Sequence, residues 1–282
     1  LSNMDIKLSE SFLAYKNYKY LKLSSLVLLI AFVAYLAHDP GRAPNGGTWF
    51  GYTLGVISAG IVIFLAWFGV KKRQFATGVD LLKGWLSAHV YLGIVVIFLS
   101  LFHSGFQLGL NLHSLLWTLV TLTVVSGMYG VFCYVRYPSV LTGSRQGLTR
   151  AEILLELSEL DLQAREVAIG LGDDINEVLL KAAETTQVGG SIGKMLEIDP
   201  ANCPTKLALA FVDSASVTSD DQETALRKLQ GVLTRKSELL RRLRTYVRAA
   251  TLVRLWLYFH VPLSIGALVA LVAHVVAVFF YW

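Results

Sequence analysis

Of the six histidines in this chain, four form two pairs with one spacing: His89 with His103, and His260 with His274, fourteen residues apart in each case. On an α-helix a step of that length is nearly four whole turns and about 21 Å of rise, so the two imidazoles of a pair leave the same face at two heights. Two such helices set face to face bring together one imidazole from each at either height. Neutral imidazole is an ordinary axial ligand of haem iron, and an ionisable side chain inside an apolar helix is costly enough to be functional by default. The pattern predicts two b-type haems, one iron between His89 and His260 and the other between His103 and His274. Proton relay, another metal and simple packing are the competing readings. No Asp, Glu or Cys adjoins these histidines within the apolar segments, so a hard-metal or zinc site finds too few ligands there. Haem brings its own four nitrogens.

A flat macrocycle between helices needs room. Gly93 follows His89 by four residues and Gly266 follows His260 by six, with Gly127 and Gly130 further along. Ordinary small-residue helix packing explains the same glycines equally well. His38 and His113 fall at the ends of apolar segments near the His103–His274 height. Bonding a haem propionate, carrying protons at a quinone site, acting as substitute ligands and being plain loop histidines are all open to them. Arg42 is a candidate propionate partner at that height, and Lys83, Arg136 and Arg254 at the other. Anchoring at a membrane surface is the simpler reading of each.

The elements that position these side chains are apolar runs. Hydrophobic residues make up 54% of the chain and charged residues only 16%, and the mean hydropathy is +0.55, values outside the range of ordinary soluble domains. Five segments reach the roughly 20 residues that a bilayer core requires: 21–37, 51–70, 85–106, 114–135 and 255–281. The fold expected is an all-α integral membrane protein, with membrane helices over 1–136, a soluble helical insert over 137–250 and a fifth membrane helix over 251–282. About twenty mixed residues precede the first run, with no small-residue cleavage signal after it, which reads as a retained helix. The net charge of +5 comes from residues flanking the apolar runs, so no nucleic acid is expected as a partner. Cys133 and Cys203 lack zinc-site spacing and a C-x-x-C-H motif, which disfavours both structural zinc and covalent haem attachment.

Positive residues near membrane ends stay on the cytoplasmic side. Lys7, Lys16, Lys19 and Lys22 precede the first run, and Lys71, Lys72, Arg73 and Lys83 lie between the second and third, whereas the other two short loops carry only Arg42. The N-terminus and the insert are therefore expected in the cytoplasm and the C-terminus in the periplasm of a bacterial inner membrane. The third and fifth segments then run in the same direction. His89 falls at the height of His260, and His103 at that of His274, so the topology agrees with the pairing.

Within the insert, residues 151–168 carry Ile153, Leu154, Leu157 and Leu160 at helical spacing. From Asp220 onward, Leu226, Leu229, Leu233, Leu240, Leu243 and Val247 give a second helix an apolar seam interrupted by Lys236. No Pro or Gly separates Val232 from Val261, so this helix is expected to run on into the fifth membrane segment. The stretch 185–205, with Gly189, Gly190, Gly193, Pro200 and Pro204, reads as loops and turns.

The histidine-bearing segments, WLSAHVYLGIVVIFLSLFH over 85–103 and FHVPLSIGALVALVAH over 259–274, resemble the transmembrane core of the ferric reductases and NADPH oxidases. In that family a His-x13-His pair on the third helix faces another on the fifth. The resemblance implies two stacked b haems and electron transfer across the membrane, and it covers the membrane half only. The flavin and nicotinamide domains usual after the last membrane helix are not expected, because the chain ends eight residues past His274 and has no G-x-G-x-x-G fingerprint. The expected function is a dihaem cytochrome b subunit, with quinone as a further possible ligand. The expected partners are the lipid bilayer and iron–sulfur, multihaem or flavoprotein subunits docked on the insert. Alternatives are a ferric or oxygen reductase fed by a separate flavoprotein, and a haem-stabilised membrane anchor. The histidines bind, and no catalytic side chain is expected.

Overall fold

The computed structural model describes residues 12–41, 44–74, 79–137, 150–216 and 219–280. A short 3-10 turn at Phe12–Ala14 leads into α1 (Tyr15–Ala37), followed by α2 (Trp49–Gln74), α3 (Val79–Ser104), α4 (Leu112–Arg136), α5 (Arg150–Ala168), α6 (Asp173–Thr185), α7 (Ile192–Leu196), α8 (Pro204–Ser214) and α9 (Asp220–Phe280). No strand occurs among the described residues, and five helices are long and apolar enough to cross a membrane. The chain is an all-α membrane protein. It divides into two compact units, Leu1–Val135 with Trp256–Trp282, and Arg136–Leu255.

The first unit is built around α3. This helix is apolar on every side, the signature of a helix surrounded by others, and Val95, Val96 and Leu99 are almost wholly buried. One side of α3 packs Val95, Leu99 and Phe102 against Ala31 of α1 and Leu54 of α2. Another packs Val96 against Val120 of α4 and Ala267 of α9. The outward faces of the surrounding helices expose Leu29, Ile30, Val56, Ile63, Phe132, Val269 and Val272, as a lipid-facing surface requires. Some helix hydroxyls are satisfied locally: Ser100, Thr118, Thr123 and Ser264 each donate to the carbonyl four residues back, a common solution where water is absent.

α1 begins earlier than the apolar run suggests, and Lys16, Asn17 and Tyr18 have positive φ, so its regular part starts beyond them. The other membrane helices overlap their expected spans to within a few residues at most ends. α9 is a single helix of 61 residues, which agrees with the expectation of continuity from Asp220. Pro262 lies inside it and lacks an N–H to donate to the preceding turn.

In the second unit, the first part of α9 forms one side of two cores. Leu226, Leu229 and Leu233 pack with Ala164, Ala168, Ile175, Leu179 and Val212. Leu239, Leu240 and Leu243 pack with Ile153, Leu157, Leu160 and Cys203. Lys236, which interrupts the seam, is 3% exposed and paired with Asp161 of α5, and Arg235 bonds Glu156 at 2.7 Å. The turn from α5 to α6 holds Gly170 and Gly172 at φ +106°, where a side chain would be strained. The stretch 185–205 is mostly loop and turn, as expected, except for α7.

Candidate functional site

The end of α3 sets the position of His103. The Phe106 N–H bonds to the Leu101 carbonyl and the Gly105 N–H to that of Phe102, the paired bonds of a Schellman motif. Gly105 has φ +60°, and a Cβ there would fall 1.9 Å from the Pro44 carbonyl oxygen, so both backbone conformation and space require glycine. This brings the chain entering α2 against the last turn of α3. A Cβ at Gly46 would lie 2.8 Å from the His103 ring, and one at Gly55 would lie 2.7 Å from it. Thr48 caps α2 through its hydroxyl, which accepts from the Gly51 N–H at 3.0 Å. The carbonyl of Gly51 then accepts from His103 Nδ1 at 2.7 Å, because a carbonyl cannot donate. His103 therefore carries its proton on Nδ1 and leaves Nε2 as a free ligand atom, the tautomer that a backbone carbonyl imposes on metal-binding histidines.

His274 of α9 stands opposite, with ring centroids 6.2 Å apart. A third imidazole joins them. His113 lies in the first turn of α4, which Asn111 caps by accepting the Ser114 N–H at 2.9 Å. Its ring is 5.2 Å from that of His103 and 5.1 Å from that of His274, and one nitrogen from each of the three lies within 4.8 Å of the others. His113 Nε2 is buried without a hydrogen-bond partner.

His89 and His260 interact electrostatically. The Ser126 hydroxyl donates to the Thr123 carbonyl at 2.7 Å, so it can only accept from His260 Nδ1, 2.8 Å away. Nε2 of His260 is again the free ligand atom. Trp256, one turn earlier, lies 5.1 Å from the His260 ring and donates its indole N–H to the Ser126 carbonyl. Phe68 lies 5.0 Å from the His89 ring, and His89 Nδ1 is buried without a partner.

The remaining candidates are scattered. His38 follows the last residue of α1 and packs on Trp49 and Phe50, outside the three-imidazole cluster. A Cβ at Gly93 would meet Val124 at 3.7 Å, an ordinary contact, and Gly266 faces open space. Arg136 ends α4, exposed and over the Tyr137 ring, and Arg254 is exposed on α9. Arg42 lies outside the described residues. Sequence reasoning missed Ser126, Trp256 and Gly51, although the position of Trp256 four residues before His260 was a usable signal.

One pair has the spacing of b-type haem ligands. Two imidazoles on opposite sides of one iron stand about 6 Å apart between ring centres, given metal–nitrogen bonds of about 2 Å, and His103 and His274 match that spacing. Buried polar atoms without partners call for an explanation. Besides those on His89 and His113, they include Trp117 Nε1 and Thr121 Oγ1 on α4, one and two turns beyond His113. No protein family, curated protein or solved structure matches this chain. The fold and the imidazole groups define its class, an all-α membrane protein with histidines clustered between its helices.

Proposed function

We propose that this chain is a membrane cytochrome b that carries electrons across a bilayer, with b-type haems held by His89 and His260 and by His103 and His274. One observation carries the reading: two helices with the same fourteen-residue histidine spacing bring His103 and His274 to 6.2 Å between ring centres, with His89 and His260 at the other level. Bound haem supplies a one-electron store at each level. The chain's own residues prepare the sites. Ser126 and the Gly51 carbonyl hold His260 and His103 in the tautomer that presents Nε2, and the apolar packing around α3 excludes water. These are the levers by which a protein tunes haem potential.

In this reading the protein is integral to a bacterial inner membrane, with the N-terminus and the 136–255 unit in the cytoplasm. That unit is the docking surface for an iron–sulfur, multihaem or flavoprotein partner, and a quinone is the alternative donor. The test is electron flow through sealed proteoliposomes containing the haem-loaded chain, with ferricyanide inside and a membrane-impermeant reductant outside. Internal ferricyanide is reduced with the wild type and not with His260→Ala. Haem-loaded wild type that leaves it oxidised overturns the reading.

A further inference from the structure

The two histidine levels are not equivalent, and α4 makes the difference. Its residues 113 and 127 are fourteen apart and share a face. At one level Gly127 lies beside His260, where a Cβ would come within 3.4 Å of the ring. At the other, His113 lies beside His274 with centroids 5.1 Å apart. One level is given space and the other a nitrogen ligand. The His113 ring is nearer to each of its two neighbours than they are to one another, so a macrocycle centred between His103 and His274 has to displace it. A bare ion does not.

Imidazoles bound to one ion through bonds of about 2.0–2.1 Å have ring centres about 5 Å apart at a tetrahedral angle and about 6 Å apart when opposed. The observed separations of 5.2, 5.1 and 6.2 Å lie close to these two values, and one nitrogen of each ring lies within 4.8 Å of the others. The ligand atoms are ready: His103 Nε2 is left free by the bond to Gly51, and His113 Nε2 is buried and unpartnered. Among the described residues the cluster contains no carboxylate or thiolate, which disfavours Ca2+, Mg2+ and Cu(I). Three imidazoles with a fourth position open form a ligand set typical of zinc.

We propose that His103, His113 and His274 bind a single Zn2+ ion, and that zinc and haem are mutually exclusive occupants of this level. His113 belongs to the zinc set alone. The zinc site goes beyond the cytochrome reading and does not need it, whereas the exclusion of haem rests on that reading. The expectation of too few zinc ligands counted residues adjacent in sequence, and α4 supplies the third from a distance.

The test uses the full chain in detergent, produced under haem limitation and titrated with Zn2+ against a chromogenic chelator. Zinc-edge X-ray absorption reads the ligands, and pyridine haemochrome reads the haem. The wild type is expected to bind one zinc per chain through three imidazoles. His113→Ala weakens binding at least 100-fold, His113→Cys restores it with a sulfur at about 2.3 Å, and His38→Ala changes nothing. Haem added afterwards to the zinc-loaded wild type fills one level fewer than in zinc-free protein. No stoichiometric zinc, or zinc binding indifferent to His113→Ala and His113→Cys, overturns the proposal, as does undiminished haem uptake by the zinc-loaded chain. If zinc binds as described and no haem is ever taken up, the cytochrome reading fails and the exclusion with it, and the zinc site stands.

Discussion

At the scale of single residues, four histidines were legible because their spacing repeats and helical geometry converts spacing into direction. His113 was legible only as a candidate at the right height, since it lies alone in its segment and its place beside both His103 and His274 comes from α3 and α9. The same holds for the glycines around His103. Gly46 and Gly55 are unremarkable in sequence, yet each gives up its Cβ to that ring. A methyl at Gly55 pushes His103 off the Gly51 carbonyl. Gly55→Ala is therefore expected to cost about 1–3 kcal/mol, as overpacking does, and to lower haem content by one per chain, read by chemical denaturation and haem quantification. Cys203 is a residue-scale case outside the membrane helices. Burial pushes its thiol up, but the Arg244 guanidinium, 3.2 Å away, and the N–H groups of Lys206 and Thr205 outweigh it, so the thiol titrates below the ordinary range. Between the lowered folded value and an unfolded value of about 8.5, the unfolded chain holds more protons, and stability rises with pH. It is lost as pH falls through the folded value. Tm is expected to climb towards about pH 8.5 more steeply in the wild type than in Cys203→Ala. Parallel profiles contradict this.

At the scale of elements, apolar runs and seams were readable because burial imposes a period on long helices. α5 follows it at Ile153, Leu157 and Leu160 but not at Leu154, which is exposed; the first part of α9 follows it closely, and even the break at Lys236 has a partner in Asp161. The stretch 169–219 was less legible. α6 buries Ile175, Leu179 and Ala182 at helical spacing, but it is 13 residues long and α8 only 11, lengths whose stability comes from tertiary packing. The ion pair gives an asymmetric prediction. Lys236 is buried and Asp161 is 31% exposed, so Asp161→Ala strands a buried charge and costs about 3 kcal/mol, the lower end for such a loss. Lys236→Met replaces the ammonium with apolar volume and frees a carboxylate that water can reach, so it costs less. Denaturant unfolding of the full-length variants ranks them, and the reverse order rules the argument out.

At the scale of the whole molecule, the all-α membrane class was plain from composition and five apolar runs. Orientation in the bilayer and the identity of partners are proposals that rest on charge and on the imidazole chemistry. The central claim is that the histidines act as two pairs, one from α3 and one from α9 at each level. Haem stoichiometry in double variants tests it most directly. His89→Ala with His260→Ala removes two ligands from one level and is expected to leave one haem per chain. His89→Ala with His274→Ala removes one ligand from each level and is expected to leave none. Equal haem content in the two double variants, or full content in either, contradicts the pairing.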